Sequence, residues 1–185
     1  MDLENLVKRC KKGNSAAQKE LFDRYGGLFM SICCRYVKDT DEAKDVLQEG
    51  FVKIFQKMSS YKSTGSFEGW MKRTVVNTCL DHLRKTKKFE ANVDLDNVSY
   101  LEPINEKVTS HLAHQDLLNL IHDLPDGYRT VFNMYAIEGY AHKEIAEEMG
   151  ISENTSKSQY RKAKLQLQEA IKKLEYSYLD REKTG

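Results

Sequence analysis

Proline is scarce in this chain of 185 residues: only Pro103 and Pro125 occur, so few positions forbid a helix. Alternating β-branched runs are lacking too, and helical spacing recurs throughout, which predicts an all-α protein. Nowhere does an apolar run approach the ~20 residues that a membrane span needs. The opening stretch MDLENLVKRCKKG has no signal-peptide apolar core. No membrane insertion and a cytoplasmic location are expected. The four cysteines, Cys10, Cys33, Cys34 and Cys79, form no CxxC pair. The histidines (His82, His111, His114, His122, His142) are scattered, and His111 and His114, which share a helical spacing, lack cysteine or carboxylate company at zinc spacing. Buried free thiols are expected, with no metal and no cofactor. His142 is read as a surface or packing histidine like the others. Clustered nucleophiles and bases are also missing, which argues against an enzyme.

Net charge is only +1, but the average hides a pattern. Residues 1–88 hold 18 Lys+Arg against 11 Asp+Glu. Residues 89–112 hold Lys107 against Glu90, Asp94, Asp96, Glu102 and Glu106. Residues 113–185 hold 10 against 12. A basic block, an acidic connector and a near-neutral block predict two domains, 1–88 and 113–175, joined by a linker at 89–112. A polar tail, 176–185, should fray. At 40% hydrophobic the chain can fill a core in each domain.

In the first block, helices are expected over 2–12 and 15–37, with Ser15 able to cap the second. Leu21, Phe22, Tyr25, Leu28, Phe29, Ile32 and Tyr36 would face inward, and Gly26-Gly27 would mark a bend or close crossing. Asp39-Thr40-Asp41 opens the next helix. Its core stripe is Ala43, Val46, Leu47, Gly50, Ile54, Phe55 and Met58. The opposite stripe, Asp45, Gln48, Glu49, Val52 and Gln56, is either a solvated face or a docking surface. After a loop at 61–66, a helix starts at Phe67 with Trp70, Met71, Thr74, Val75 and Leu83 inward. Arg73, Asn77 and Arg84 line another side, and the helix ends in RKTKK. That basic end suits either the negative helix terminus or single-stranded DNA, where aromatics stack on bases and cations track the backbone.

In the second block, helices are expected over 113–124, with Leu117, Leu118, Leu120, Ile121 and Leu124 apolar, and over 128–138, with Val131, Phe132, Met134 and Tyr135 inward. Pro125-Asp126-Gly127 is read as the break between them. The stretch GYAHKEIAEEMGISENTSKSQYRKAKLQL (139–167) then reads as a short helix, a glycine turn at Gly150, an N-cap at Ser152 and a long helix. Tyr160, Ala163, Leu167, Ala170, Ile171 and Leu174 would be buried. Lys157, Arg161 and Lys164 fall on another face, with Ser158 and Lys162 beside it. This is the pattern of a helix-turn-helix, whose second helix enters the DNA major groove.

Three blocks together resemble the extracytoplasmic-function (ECF) group of sigma-70 family sigma factors. DEAKDVLQEGFVKIFQKM (41–58) is similar to the segment that docks on core RNA polymerase. SFEGWMKRTVVNTCLDHLRK (66–85) is similar to the minus-10 reading and melting helix. LPDGYRTVFNMYAIEGYAHKEIAEEMGISENTSKSQYRKAK (124–164) is similar to the region that reads the minus-35 element. The resemblance implies polymerase contacts by Asp45, Gln48, Glu49, Phe51 and Lys53. It implies minus-10 contacts by the Lys62, Ser63, Thr64, Gly65 and Ser66 loop and by Asn77, with Arg73 and Arg84 on the same helix. Lys157, Ser158, Arg161 and Lys162 would form the major-groove face. The last helix departs from the pattern at Ser156, where a small apolar residue is common, and at Lys164, where Arg is common. Expected partners are core RNA polymerase, promoter DNA and an anti-sigma factor. The alternative is a polymerase-independent helix-turn-helix repressor, which would need neither residues 41–58 nor an acidic linker.

Overall fold

The computed structural model describes residues 3–61, 65–86 and 114–184, with side chains of the last stretch described over 116–174. All regular structure among these residues is helical. The chain divides into two units, Met1–Lys87 and Lys88–Gly185. The expected linker at 89–112 lies outside the described residues.

The first unit contains α1 (Leu3–Lys11), α2 (Ser15–Tyr36), α3 (Thr40–Lys57), a 3₁₀ turn (Met58–Ser60) and α4 (Phe67–Lys85). Helices α2, α3 and α4 pack on one another, and α1 lies on α2. Leu21, Phe29, Ile32, Ile54, Met71, Val75, Leu80 and Leu83 fill the space between them. Local chemistry sets the starts. The Asp39 carboxylate accepts from the Asp41 and Glu42 amides, each at 2.9 Å. Asn14, not Ser15, caps α2: its Oδ1 accepts from the Ala17 amide at 2.9 Å. Asn at that position satisfies an amide that the helix itself cannot.

Packing corrects the readings of Gly26-Gly27, Phe22 and Leu28. Helix α2 is continuous, and a Cβ added at Gly27 would meet nothing, so Gly26-Gly27 marks no close crossing. The close approach is at Gly50 instead, where an added Cβ would lie 3.4 Å from Val75 Cγ2 on α4. Phe22 and Leu28, expected inward, are exposed. Cys33 and Cys79 are buried unbridged thiols with their sulfurs 3.9 Å apart.

The second unit contains α5 (His114–Asp123), α6 (Asp126–Phe132) running on into a π-helical turn (Asn133–Ile137), α7 (His142–Met149) and α8 (Glu153–Thr184). Leu124, Tyr128, Ala163 and Leu167 form a core that Leu120, Ile121 and Phe132 extend. Asp126 and Gly127 belong to the first turn of α6, so the expected three-residue break narrows to Leu124-Pro125. Tyr135, expected inward, is exposed. The backbone of α8 continues to Thr184, through the tail expected to fray.

Arg129 is the unexpected core residue. It is 1% exposed. Its Nη1 donates to the carbonyls of His122 (3.3 Å) and Leu124 (3.0 Å), and its Nη2 pairs with Asp126 at 2.5 Å. One guanidinium therefore satisfies carbonyls at the end of α5 and a carboxylate at the start of α6. Replacing it by Met leaves the buried Leu124 carbonyl and the partly exposed Asp126 carboxylate without their donor. Arg129→Met should cost ~3–5 kcal/mol, the usual loss when one partner of a buried pair is removed. Urea unfolding of the second unit checks this; a loss under ~1 kcal/mol would show that the cation is dispensable there.

Candidate nucleic-acid interface

The helix-turn-helix depends on two local devices. Gly150 takes φ +67°, the left-handed conformation that ends α7. Ser152 Oγ then accepts from the Thr155 amide at 2.9 Å, capping α8. Buried Ala163, Leu167 and Ile171 fix which side of α8 faces inward. At 100° per residue, Lys157, Arg161 and Lys164 fall within about 60° of each other, centred about 90° around the helix from that stripe. Lys157 and Ser158 are exposed, and Arg161 and Lys162 are partly so. Lys157 pairs with Glu153 at 2.7 Å, and Lys164 sits over the Tyr160 ring at 5.8 Å. The Lys157 pair also holds the Glu153 carboxyl below the usual range. Ser158 Oγ donates to the Thr155 carbonyl at 3.0 Å, which leaves its lone pairs free to accept.

Sequence reasoning missed a polar contact behind this face. Ser156 is 0% exposed, in the middle of the inward stripe. Its Oγ lies 2.9 Å from His142 Nδ1 on α7. The His142 ring stacks on Tyr135 (4.2 Å between centroids, 11° between planes) and meets Tyr160 edge-on at 5.9 Å. Burial, and then the Lys157 charge, lower the His142 pKa against the opposing pull of Glu153. Fourteen residues separate the pair, so no local spacing announces it.

On α4, Arg73, Asn77 and Arg84 share one side, within about 40° at 100° per residue. Arg73 and Arg84 are exposed and Asn77 is half-buried. Arg84 is held by Asp81 at 2.7 Å. Ser66 caps this helix, its Oγ accepting from the Gly69 amide at 3.3 Å. The Tyr61 hydroxyl donates to the Gly65 carbonyl. Lys62, Ser63 and Thr64 lie outside the described residues. Tyr61, Phe67 and Trp70 form an aromatic cluster beside Gly65 and Ser66, with centroids 5.2–5.6 Å apart. Trp70 and Thr74, expected inward, are only partly buried.

On α3, Asp45, Gln48 and Gln56 are exposed around Val52, which is 51% exposed, and Glu49 is half-buried beside them. Lys53 reaches Glu49 at 2.9 Å and Asp81 of α4 at 3.0 Å. Burial pulls the Lys53 pKa down, but the two carboxylate hydrogen bonds outweigh it and leave the pKa raised. The resemblance implied a polymerase contact for Phe51, yet Phe51 is 3% exposed and packs on Phe22, Phe29 and Phe55. Its position, about 80° around the helix from Ala43, puts it on the flank of the core stripe. It supports the outward face from behind.

Among the described residues no group of three or more His, Cys, Asp or Glu could hold a metal ion, and no helix is long and apolar enough to cross a membrane.

Residues 21–89 match the family model of sigma-70 region 2, and residues 114–167 match that of sigma-70 region 4. The ECF RNA polymerase sigma-E factor of Haemophilus influenzae is 28% identical over 181 residues, covering 91% of this chain and 95% of that one. The RNA polymerase sigma factor SigV of Bacillus subtilis is 30% identical over 138 residues, covering 74% and 81%. The fold is similar to that of the sigma factor RpoE from Bartonella quintana, solved with the anti-sigma factor NepR: TM-score 0.56, 18% identity, 83% of this chain and 96% of that one. The chain belongs to the ECF group of the sigma-70 family of RNA polymerase sigma factors.

Proposed function

We propose that the chain binds core RNA polymerase in the cytoplasm and carries it to promoters, one unit reading each promoter element. The observation that carries this reading is the pairing of a region 2 match and a region 4 match in one chain, each unit presenting a basic face beside a buried apolar stripe. Helix α8 reads the minus-35 duplex through Lys157, Ser158, Arg161 and Lys162. Arg and Lys donate to guanine acceptors, Ser pairs with several bases, and the remaining cations meet phosphates. Helix α4 and the loop at 62–66 take a non-template base of the minus-10 element. Unstacking a base costs a few kcal/mol, and stacking on aromatics with amide contacts from Asn77 offsets that cost. The exposed side of α3, with Asp45, Gln48, Glu49 and Lys53, docks on polymerase. Catalysis remains with the polymerase; this chain supplies address and melting.

The Bartonella quintana factor was solved with an anti-sigma factor. An anti-sigma partner that covers these same surfaces is the regulation this reading implies. The polymerase-independent repressor is not favoured, because such a protein has no use for the region 2 match over 21–89.

Two substitutions test the recognition face and one tests melting. Lys157→Ala and Arg161→Ala should each weaken minus-35 binding by ~1–3 kcal/mol, as expected for a bidentate base contact. Binding of the polymerase complex to matched and mismatched duplexes measures this; unchanged sequence preference in both variants removes the α8 assignment. Asn77→Ala should impair strand opening, read by permanganate reactivity, more than duplex binding. Equal losses in the two assays would count against a base pocket at Asn77.

A further inference from the structure

We infer that His142 and Ser156 form a positioning pair: their hydrogen bond seats the start of α8 on α7 and so sets how sharply the outer face of α8 discriminates base sequence. This rests on the reading of α8 as the DNA recognition helix.

Ser156 lies on the inward side of α8, one residue before Lys157 and two before Ser158, and its side chain is fully buried. A buried hydroxyl is costly unless it is bonded. Its partner, His142, is the first residue of α7, and the two atoms are 2.9 Å apart. The imidazole is held in turn by Tyr135 from the π-helical turn and Tyr160 from α8. Three segments therefore converge on one ring. Apolar contacts such as those of Ala163 and Leu167 resist separation, but they are non-directional and permit small rotations. A buried hydrogen bond has a narrow range of length and angle, so it selects one seating. Base-edge contacts need that precision, whereas phosphate contacts carry affinity without sequence information. Loss of the bond should therefore reduce discrimination more than total affinity.

The ring also gives the pair a pH signature. It faces Glu153 and Lys157 on α8, Lys143 and Glu144 on α7, and the phenols of Tyr135 and Tyr160. Burial and Lys157 favour the neutral ring, with Glu153 opposing. A histidine with a depressed folded pKa contributes stability above its unfolded value of about 6.5 and loses it as pH falls below that value. Discrimination should follow the same course, steady above that pH and declining below it.

The test uses the full chain with core RNA polymerase and a duplex pool randomised over the upstream element. Ser156→Ala should lower the ratio of selected to unselected binding by about three- to tenfold, the effect of one hydrogen bond. His142→Asn, whose amide sits where Nδ1 does, should keep the ratio and lose its pH dependence. Should Ser156→Ala melt below the assay temperature, His142→Phe keeps the stacking on Tyr135 and carries the same expectation for the ratio. An unchanged ratio overturns the proposal. If Lys157→Ala and Arg161→Ala lower the ratio while Ser156→Ala does not, the pair fails and the recognition-helix reading stands. If none of the three lowers it, both fail.

Discussion

Apolar burial along one side of α4 and one side of α8 is the constraint from which the rest follows. Met71, Val75 and Leu83 turn α4 toward α2 and α3, and Ala163, Leu167 and Ile171 turn α8 toward α5 and α6. Each helix has one way to bury its stripe, so its cations have one way to point. Arg73 and Arg84 in the first unit, and Lys157 and Arg161 in the second, are outward because their neighbours are inward. The non-directional hydrophobic effect is thus enough to make two basic surfaces. It is not enough to aim them.

Aim comes from a few polar groups placed where helices begin, end or cross. Ser66, Asp39 and Ser152 settle helix starts, and Gly150 turns α7 into α8. Arg129 ties the end of α5 to the start of α6. Lys53 and Asp81 connect α3 to α4, so the surface proposed for polymerase and the one proposed for melting share an ion-pair network. Exposed pairs of this kind contribute little stability individually. Their consequence is geometric, since Asp81 also holds Arg84 on the proposed DNA side of α4.

What was legible in the sequence was what depends on near neighbours. The glycine turn and serine cap of the helix-turn-helix need only a few adjacent residues to form, and both stand where spacing placed them. The inward stripe of α8 is equally local: periodicity alone places Ala163, Leu167 and Ile171, which are buried, while Tyr160, Ala170 and Leu174 are only partly so. Readings failed where a distant partner decides. Phe22 and Leu28 keep the helical period, yet both stay exposed, Phe22 even though its ring meets Phe51 of α3. Phe51 was implied as a polymerase contact by likeness of sequence, while the rings of Phe22, Phe29 and Phe55 hold it inside. Arg129 reads as a surface charge until the carbonyls at the end of α5 are brought to it. Ser156 looks like one more hydroxyl on a polar helix until α7 folds back and places His142 against it.

The central claim is that this chain directs polymerase rather than acting on DNA alone, and reconstitution tests it most directly. Purified chain would be mixed with core RNA polymerase, the complex isolated by gel filtration, and transcripts made on fragmented genomic DNA sequenced. The account predicts a stable complex and discrete start sites that share two upstream elements. A folded chain that binds duplex DNA yet forms no complex with polymerase would contradict it.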